Sequence, residues 1–338
     1  MIVPLFLPHY GCGQRCAYCN QDYIADNEKG RPEERIARLL GPRTAPVEVA
    51  LYGGNMLGIE PVRLEGLLRL FEPYRDRISG VRLSTKPIAP EREVIRLLRK
   101  YGVRTIELGM PSFNDDILAA LKRGHTAVHS FAAYRRLREE GFEVGLQTMV
   151  GLPGEAPRDV RQTAEIVAEL APSFIRIYPL LVLHDTDLYQ EFVSGRFLPD
   201  TLESAVAKAV FIYVAAWNSG IGTIKMGLTE NDVLKEKIAA GPFHPAFGYL
   251  VKSEAFCLAL LQTCTASEIR GSVRLRLHPG DAAHLYGHKG AGLARLKEFG
   301  VFPVRVEDRT LEKGRFVIES GGVSAQGSLA DALAMIPF

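Results

Sequence analysis

Cys12, Cys16 and Cys19 stand in the spacing C-x3-C-x2-C, within Gly11-Cys12-Gly13-Gln14-Arg15-Cys16-Ala17-Tyr18-Cys19-Asn20. Three thiolates on one short loop can hold three corners of a [4Fe–4S] cluster, and most such clusters take four cysteines. Three leave one iron open, and an open iron can bind a further ligand. A zinc site is the competing reading. Zinc usually takes four ligands, often as two spaced pairs, and His9 is near enough in sequence to complete a Cys3His set. Cys257 and Cys264 lie seven residues apart in an apolar stretch, where they would share one buried helical face as small hydrophobes. The cysteine count is five, an odd number, with three crowded into eight residues. That argues against a disulfide framework and for a reducing compartment, the cytoplasm.

The elements that must position this loop follow a regular alternation. Short apolar, β-branched runs at 2–7, 47–52, 80–84, 104–108, 143–150 and 174–178 read as strands. Amphipathic runs at 33–40, 62–74, 91–101, 115–121, 130–140 and 157–170 read as helices between them. The alternation predicts an α/β fold, a parallel sheet with helices outside, and six units suit a partial (β/α)6 barrel. Chemistry in such barrels sits at the C-terminal ends of the strands, and the cysteine loop follows the first strand. Gly102 and Gly141 each close a helix before an extended run. Residues 185–265 read as largely helical, with breaks at 218–222 and 241–245. The expected divisions are a barrel at 1–184, a helical extension at 185–268 and a small α+β module at 269–338.

Bulk composition is that of an ordinary globular chain: 338 residues, 47% hydrophobic, 24% charged, net charge +2. No apolar run approaches bilayer-spanning length. Residues 1–8 lack a basic n-region and carry two prolines, which is unlike a signal peptide. Neither a membrane nor DNA is expected as a partner.

The cysteine spacing, with an aromatic residue just before the third Cys, resembles the radical S-adenosylmethionine (SAM) superfamily. From the N-terminus to about residue 255 the motifs resemble the branch containing the catalytic subunit of Elongator, and more distantly the anaerobic coproporphyrinogen dehydrogenases. By that resemblance Gly53 and Gly54, followed by Asn55, match the glycine pair that meets the SAM amino group. Ser84, in Ser84-Thr85-Lys86-Pro87, stands where the family has a carboxylate. In Glu107-Leu108-Gly109-Met110-Pro111-Ser112, Pro111 stands where the family has a ribose-binding Gln. Lys122-Arg123-Gly124-His125-Thr126 keeps the family's R-G-H-T, and the resemblance makes Arg123 the partner of the SAM carboxylate. Gln147 would reach the ribose. Arg176 would face the cofactor cavity or pair with a buried carboxylate such as Glu107. Tyr18 would stack on the adenine or cover the cluster from water. The resemblance implies an enzyme with a [4Fe–4S] cluster and SAM, which cleaves SAM reductively to a 5′-deoxyadenosyl radical. A flavodoxin- or ferredoxin-type reductant is then expected.

The C-terminal part bears on the substrate. Strand, helix, Gly287-His288-Lys289-Gly290, helix, strand, strand and a last helix at 329–335 resemble a KH RNA-binding module. In such modules the GxxG turn meets nucleic-acid phosphates. From Arg270 to Arg315 there are ten Lys/Arg and five Asp/Glu, a difference of +5 against +2 for the whole chain. RNA is therefore the expected substrate, and the Elongator resemblance implies tRNA in particular, with tRNA modification as the expected function. No acetyltransferase-type domain is read after the barrel, so the two-domain reaction of the Elongator branch is not expected of these residues. The alternatives are a radical SAM enzyme on a porphyrin-like small molecule, with the last module as a lid, and a non-catalytic SAM- or cofactor-binding chaperone.

Overall fold

Six strands each bury an apolar side chain completely, Leu5, Leu51, Leu83, Ile106, Leu146 and Ile175, and two of them bury a charged residue next to it, Arg82 and Glu107. A sheet covered on both sides is the arrangement such strands require. The computed structural model describes residues 1–24 and 30–336. They form two units, one of residues 1–155, 172–199 and 228–241, the other of residues 156–171, 200–227 and 242–338.

In the first unit the chain runs β1 (Ile2–Tyr10), α1 (Gln21–Ile24), α2 (Pro32–Leu40), β2 (Val47–Gly54), α3 (Pro61–Arg69) and β3 (Ile78–Thr85). It continues through α4 (Arg92–Lys100), β4 (Val103–Gly109), α5 (Asp115–Ala120), α6 (Ala127–Glu139) and β5 (Glu143–Val150). Helix α7 (Pro157–Leu170) belongs to the second unit, and β6 (Phe174–Pro179) returns to the first. Strands β1 to β6 lie in chain order and every neighbouring pair is parallel, as in a partial (β/α)6 barrel. β1 and β2 run past their expected C-terminal ends, to Tyr10 and Gly54, whereas β5 has the expected bounds. α3 is shorter than expected by more than a turn: it stops at Arg69 and a 3-10 turn follows at Glu72–Arg77. Pro73 has no N–H to continue the ladder.

After β6 come β7 (Val182–Leu183), α8 (Asp187–Val193), α9 (Leu202–Asn218), β8 (Gly222–Met226), α10 (Asp232–Lys237) and β9 (Ile238–Ala240). Within the first unit β7 and β9 pair antiparallel. Helix α11 (Phe247–Ala266) then runs for 20 residues. It buries Cys257 and Cys264, at 3% and 0% exposure, on the shared face their spacing implies.

The second unit closes with β10 (Gly271–Leu277), α12 (Ala282–Tyr286), α13 (Ala291–Glu298), β11 (Val301–Glu307), β12 (Arg315–Ser320) and β13 (Val323–Ser328). Their sheet has the order β11-β10-β12-β13, with β10 parallel to β11 and the other pairs antiparallel. β13 is not expected from sequence, and the last helical segment, Leu329–Met335, is a 3-10 helix. Among the described residues no helix is long and apolar enough to cross a membrane.

Strand packing sets one clear test. A Cβ on Gly145 would lie 2.2 Å from the Phe174 ring, whereas one on Gly66, inside α3, would meet nothing. Gly145→Ala is expected to cost about 1–3 kcal/mol by overpacking. Gly66→Ala is expected to stabilise by roughly 0.5–1 kcal/mol through helix propensity. Urea unfolding of both variants checks the pair.

Candidate active site

The cysteine loop leaves β1 through Gly11, whose φ is +73° and whose Cβ would fall 2.2 Å from the Asn55 carbonyl oxygen. Only glycine fits that approach. Backbone bonds then shape the loop. Cys12 N–H donates to His9 O and Cys19 N–H to Cys16 O, both at 3.0 Å. Ala17 is held from two sides, its N–H on Leu121 O at 3.0 Å and its carbonyl accepting from Leu188 N–H at 2.8 Å. The base is clipped by His9 and Gln21. Gln21 N–H donates to His9 Nε2 at 3.1 Å, and His9 N–H donates to the Gln21 side chain. His9 Nε2 is thus engaged with the backbone. Among the described residues no three His, Cys, Asp or Glu gather closely enough to bind one ion.

Arg123 lies beside the thiols. α5 is capped by Asn114, whose side chain accepts from Asp116 N–H at 2.9 Å. The helix ends in a turn with Lys122 at φ +54° and Gly124 at φ +71°. That turn leaves Lys122 exposed and buries Arg123. Arg123 Nη1 is 3.3 Å from both Cys16 Sγ and Tyr18 Oη, and Nη2 donates to Gly109 O at 2.6 Å. Its Nε has no hydrogen-bond partner among the described residues. Gly109 leaves the space this needs, since a Cβ there would lie 2.9 Å from Nη2. Tyr18 packs against the apolar cluster of Ile117, Leu121, Leu152, Leu180, Val182 and Leu188. Burial pushes the Cys19 thiol up to about 12, the neighbouring Cys16 adds to this, and Arg123 opposes it. Burial also raises Cys12, against the opposing charge of Lys86. Burial, with the charge of Arg123, pushes His125 down to about 4.

Asn55 ties the strand ends together. Its Nδ2 donates to Gly11 O at 3.2 Å, and its Oδ1 accepts from Thr85 Oγ1 at 2.7 Å and from Lys86 N–H at 3.0 Å. Asn55 N–H donates to Tyr10 O at 2.7 Å. Gly53 and Gly54 pack on β1: a Cβ on Gly54 would lie 2.4 Å from Tyr10 O, and one on Gly53 3.3 Å from Leu7 N. The pair therefore fits the turn of β1 closely, whatever else it meets.

Glu107 is the centre of a second network that sequence did not single out as a site. It is wholly buried. Tyr52 Oη donates to it at 2.8 Å, Arg82 Nη1 at 2.9 Å, Gln147 Nε2 at 2.8 Å and Arg176 Nη2 at 3.0 Å. Arg176 Nε lies 2.7 Å from its other oxygen. Ser84 touches the edge, 3.4 Å from Gln147 Nε2. Arg176 is thus paired with Glu107, one of the two arrangements considered for it, and Gln147 is directed to the same carboxylate. Pro111 keeps its carbonyl in use, accepting from Met149 N–H at 3.2 Å.

Gly287, His288, Lys289 and Gly290 belong to the second unit. A Cβ on Gly287 would lie 2.7 Å from Gly292 N, so the turn is tight. His288 and Lys289 are exposed. His244, which sequence did not single out, stands edge-on to His288 with ring centroids 5.2 Å apart. Ala246 N–H donates to His244 Nδ1 at 3.1 Å, which leaves the proton on Nε2. Several cations of this segment are neutralised locally, as Arg274 and Arg276 on Glu319, Arg276 on Asp308 and Arg295 on Glu254.

The fold is that of the superfamily the sequence resembles. Residues 6–167 match the Radical SAM superfamily and residues 172–256 match the Radical_SAM C-terminal domain. The chain belongs to the radical SAM superfamily. It is 30% identical over 189 residues to the tRNA uridine(34) acetyltransferase of Methanocaldococcus jannaschii, covering 52% of this chain and 35% of that protein. It is 25% identical over 198 residues to the Heme chaperone HemW of Bacillus subtilis, covering 55% and 52%. The chain thus spans about a third to a half of the relatives it matches. Among solved structures it resembles Elp3 of Methanocaldococcus infernus, with a TM-score of 0.56 at 20% identity, covering 94% of this chain and 72% of that one.

The Glu107 network yields a stability test. Burial pushes its carboxyl up, but the charge and hydrogen bonds of Arg176, with those of Arg82 and Gln147, bring it below the ordinary 4.5. A depressed carboxyl contributes stability above its unfolded value and loses it as pH falls through the folded one. Glu107→Gln is expected to cost about 3–5 kcal/mol near neutral pH, because two guanidiniums lose a buried partner. The gap from wild type should shrink below pH 4.5 in denaturant titrations.

Proposed function

We propose that this chain is a radical SAM enzyme that modifies RNA, with Cys12, Cys16 and Cys19 as the ligands of a [4Fe–4S] cluster. The observation that carries the cluster reading is Arg123, a buried guanidinium with a thiol at 3.3 Å and no carboxylate beside it among the described residues. A buried cation is costly without an anion, and thiolates on iron supply one. The donor types also fit: three thiols on one loop in the spacing C-x3-C-x2-C, with His9 engaged by the backbone of Gln21. When bound, the cluster supplies the electron that splits the sulfonium C–S bond of SAM, leaving methionine and a 5′-deoxyadenosyl radical that abstracts hydrogen from substrate.

The chain's own residues hold and shield that chemistry. The Ala17 and His9–Gln21 bonds fix the loop, and Tyr18 seals one side of it with an apolar cluster. Gly53, Gly54, Ser84 and Gln147 are the candidates for the amino and ribose groups of SAM. Asn55 and Arg176 act through them, Asn55 by joining the strand ends and Arg176 by fixing Glu107, which in turn orients Gln147. A flavodoxin- or ferredoxin-type protein supplies the electron.

RNA is favoured as substrate by the GHKG turn, whose exposed Lys289 has no ion pair among the described residues, and by the tRNA-modifying relative. A porphyrin-like small molecule is the second reading, favoured by the likeness to a heme chaperone.

Anaerobic reconstitution should load about four irons per chain, falling sharply in Cys16→Ala. SAM and dithionite should then release 5′-deoxyadenosine. A colourless protein with one zinc would sink the cluster reading. The full chain should shift tRNA in a gel at low salt, where phosphate contacts are strongest. Lys289→Asp should weaken that shift several-fold, and an unshifted tRNA at low salt would favour the small-molecule reading.

A further inference from the structure

A phosphate held at the GHKG turn would fix a strand of RNA without reading or gripping its bases. One aromatic side chain beside that turn has no other role. Tyr286 is the last residue of α12 and directly precedes Gly287. It is 43% exposed, whereas Leu285 before it is 3% exposed. The backbone beneath it is held firmly. Gly287 N–H donates to Ala283 O at 3.2 Å and ends the helix. A Cβ on Gly292 would lie 3.3 Å from the Tyr286 carbonyl oxygen, so the start of α13 packs closely on the end of α12. Tyr286 is thus a large apolar ring on a fixed base, left open to solvent.

Arg305 reaches the same ring from β11, with its guanidinium carbon 5.8 Å from the centroid. Its ion pair is with the exposed Glu307 at 3.3 Å, and an exposed pair of this kind holds its cation weakly. β11 is the free edge of the four-stranded sheet. Gly271 N–H donates to Gly300 O and Asp308 N–H to Leu277 O, and β10 and β11 stay in step between them, which turns the backbone groups of Pro303 and Arg305 outward. Pro303 has no N–H to offer there, and a proline on an open edge discourages the addition of a further strand. A peptide strand is therefore a poor occupant of this rim. A nucleobase needs no ladder of backbone bonds. It needs a flat ring to stack on, a cation beside it and a positive charge for its phosphate. Lys289, three residues after Tyr286, is exposed and without an ion pair among the described residues.

We propose that Tyr286 is a base-stacking platform for single-stranded RNA, with Arg305 alongside the stacked base and Lys289 on the neighbouring phosphate. The proposal rests on the RNA reading above. Every base has a π-face, so such a platform tolerates any sequence. Bases inside a duplex are already stacked, so the platform selects loops and free ends.

The test uses the full chain and an oligouridylate of about ten nucleotides with one central 2-aminopurine, a length matched to a short stacking site. Fluorescence anisotropy reads affinity, and quenching of the 2-aminopurine reads stacking. Wild type should quench the probe on binding. Tyr286→Ala should bind about tenfold more weakly and lose the quenching, whereas Tyr286→Phe, which keeps the ring, should bind within about twofold of wild type. On an abasic strand of the same length, wild type and Tyr286→Ala should bind alike, because nothing is left to stack. Lys289→Asp should weaken both strands and flatten the salt dependence. The platform is overturned if Tyr286→Ala binds the oligouridylate within about twofold of wild type, or if its loss is as large on the abasic strand. A wild-type chain that binds neither the oligonucleotide nor tRNA at low salt overturns the RNA reading itself, a result distinct from both.

Discussion

One amide side chain, Asn55, holds three strand ends in register. A parallel sheet leaves its C-terminal ends as separate loops, each free to splay. Asn55 lies at the end of β2 and reaches both neighbours, donating to the loop after β1 and accepting from two groups at the end of β3. An amide has a donor and an acceptor on one rigid plane, which neither an aspartate nor a leucine supplies. Buried, it has no water to fall back on. The geometry of the thiol loop thus depends on a residue that is not itself a thiol.

Below that layer the sheet carries charge rather than hydrocarbon. Glu48 bonds Arg82, Arg82 bonds Glu107, and Glu107 bonds Arg176. Anion and cation alternate from β2 to β6, so the layer is neutral although its centre, Arg82 and Glu107, is withdrawn from water. Such pairs contribute little net stability against hydrocarbon, but removing one member strands the next. Specific geometry at Gln147 and Tyr52 is what the arrangement gives in return, because their polar groups have one shared acceptor.

The strands, most helices and the cysteine loop were legible because their signals are local. Alternation marks a strand within six residues, and a glycine ends a helix within one turn, as at Gly102 and Gly141. β13 was not legible: Val-Ser-Ala-Gln-Gly-Ser alternates, but its apolar side is only Val, Ala and Gly, and the pairing with β12 makes it a strand. Beyond the Arg176–Glu107 pair, the Glu107 network was hidden for another reason. Its members lie 25 to 69 residues from Glu107, and only the folded sheet brings them to one carboxylate. Arg123 was legible as a cation of the site, through Arg-Gly-His-Thr. Its contact with Cys16 crosses 107 residues and was not. The positive surplus in the last module was readable as a count. How much of it is spent on Glu319, Asp308 and Glu254 was not.

Gly109 is the quietest residue of this corner. It contributes a carbonyl and an absent side chain, and the guanidinium of Arg123 occupies the room so left. One methyl there would compete with a positive charge for the same volume. The identity of a residue with no functional group is therefore coupled to that of an arginine fourteen positions on, and a lineage that changed the first would be released from keeping the second. A strand-end glycine of this kind is a hinge of sequence divergence: relatives with a bulkier residue there must house the thiol loop's counter-charge by another route.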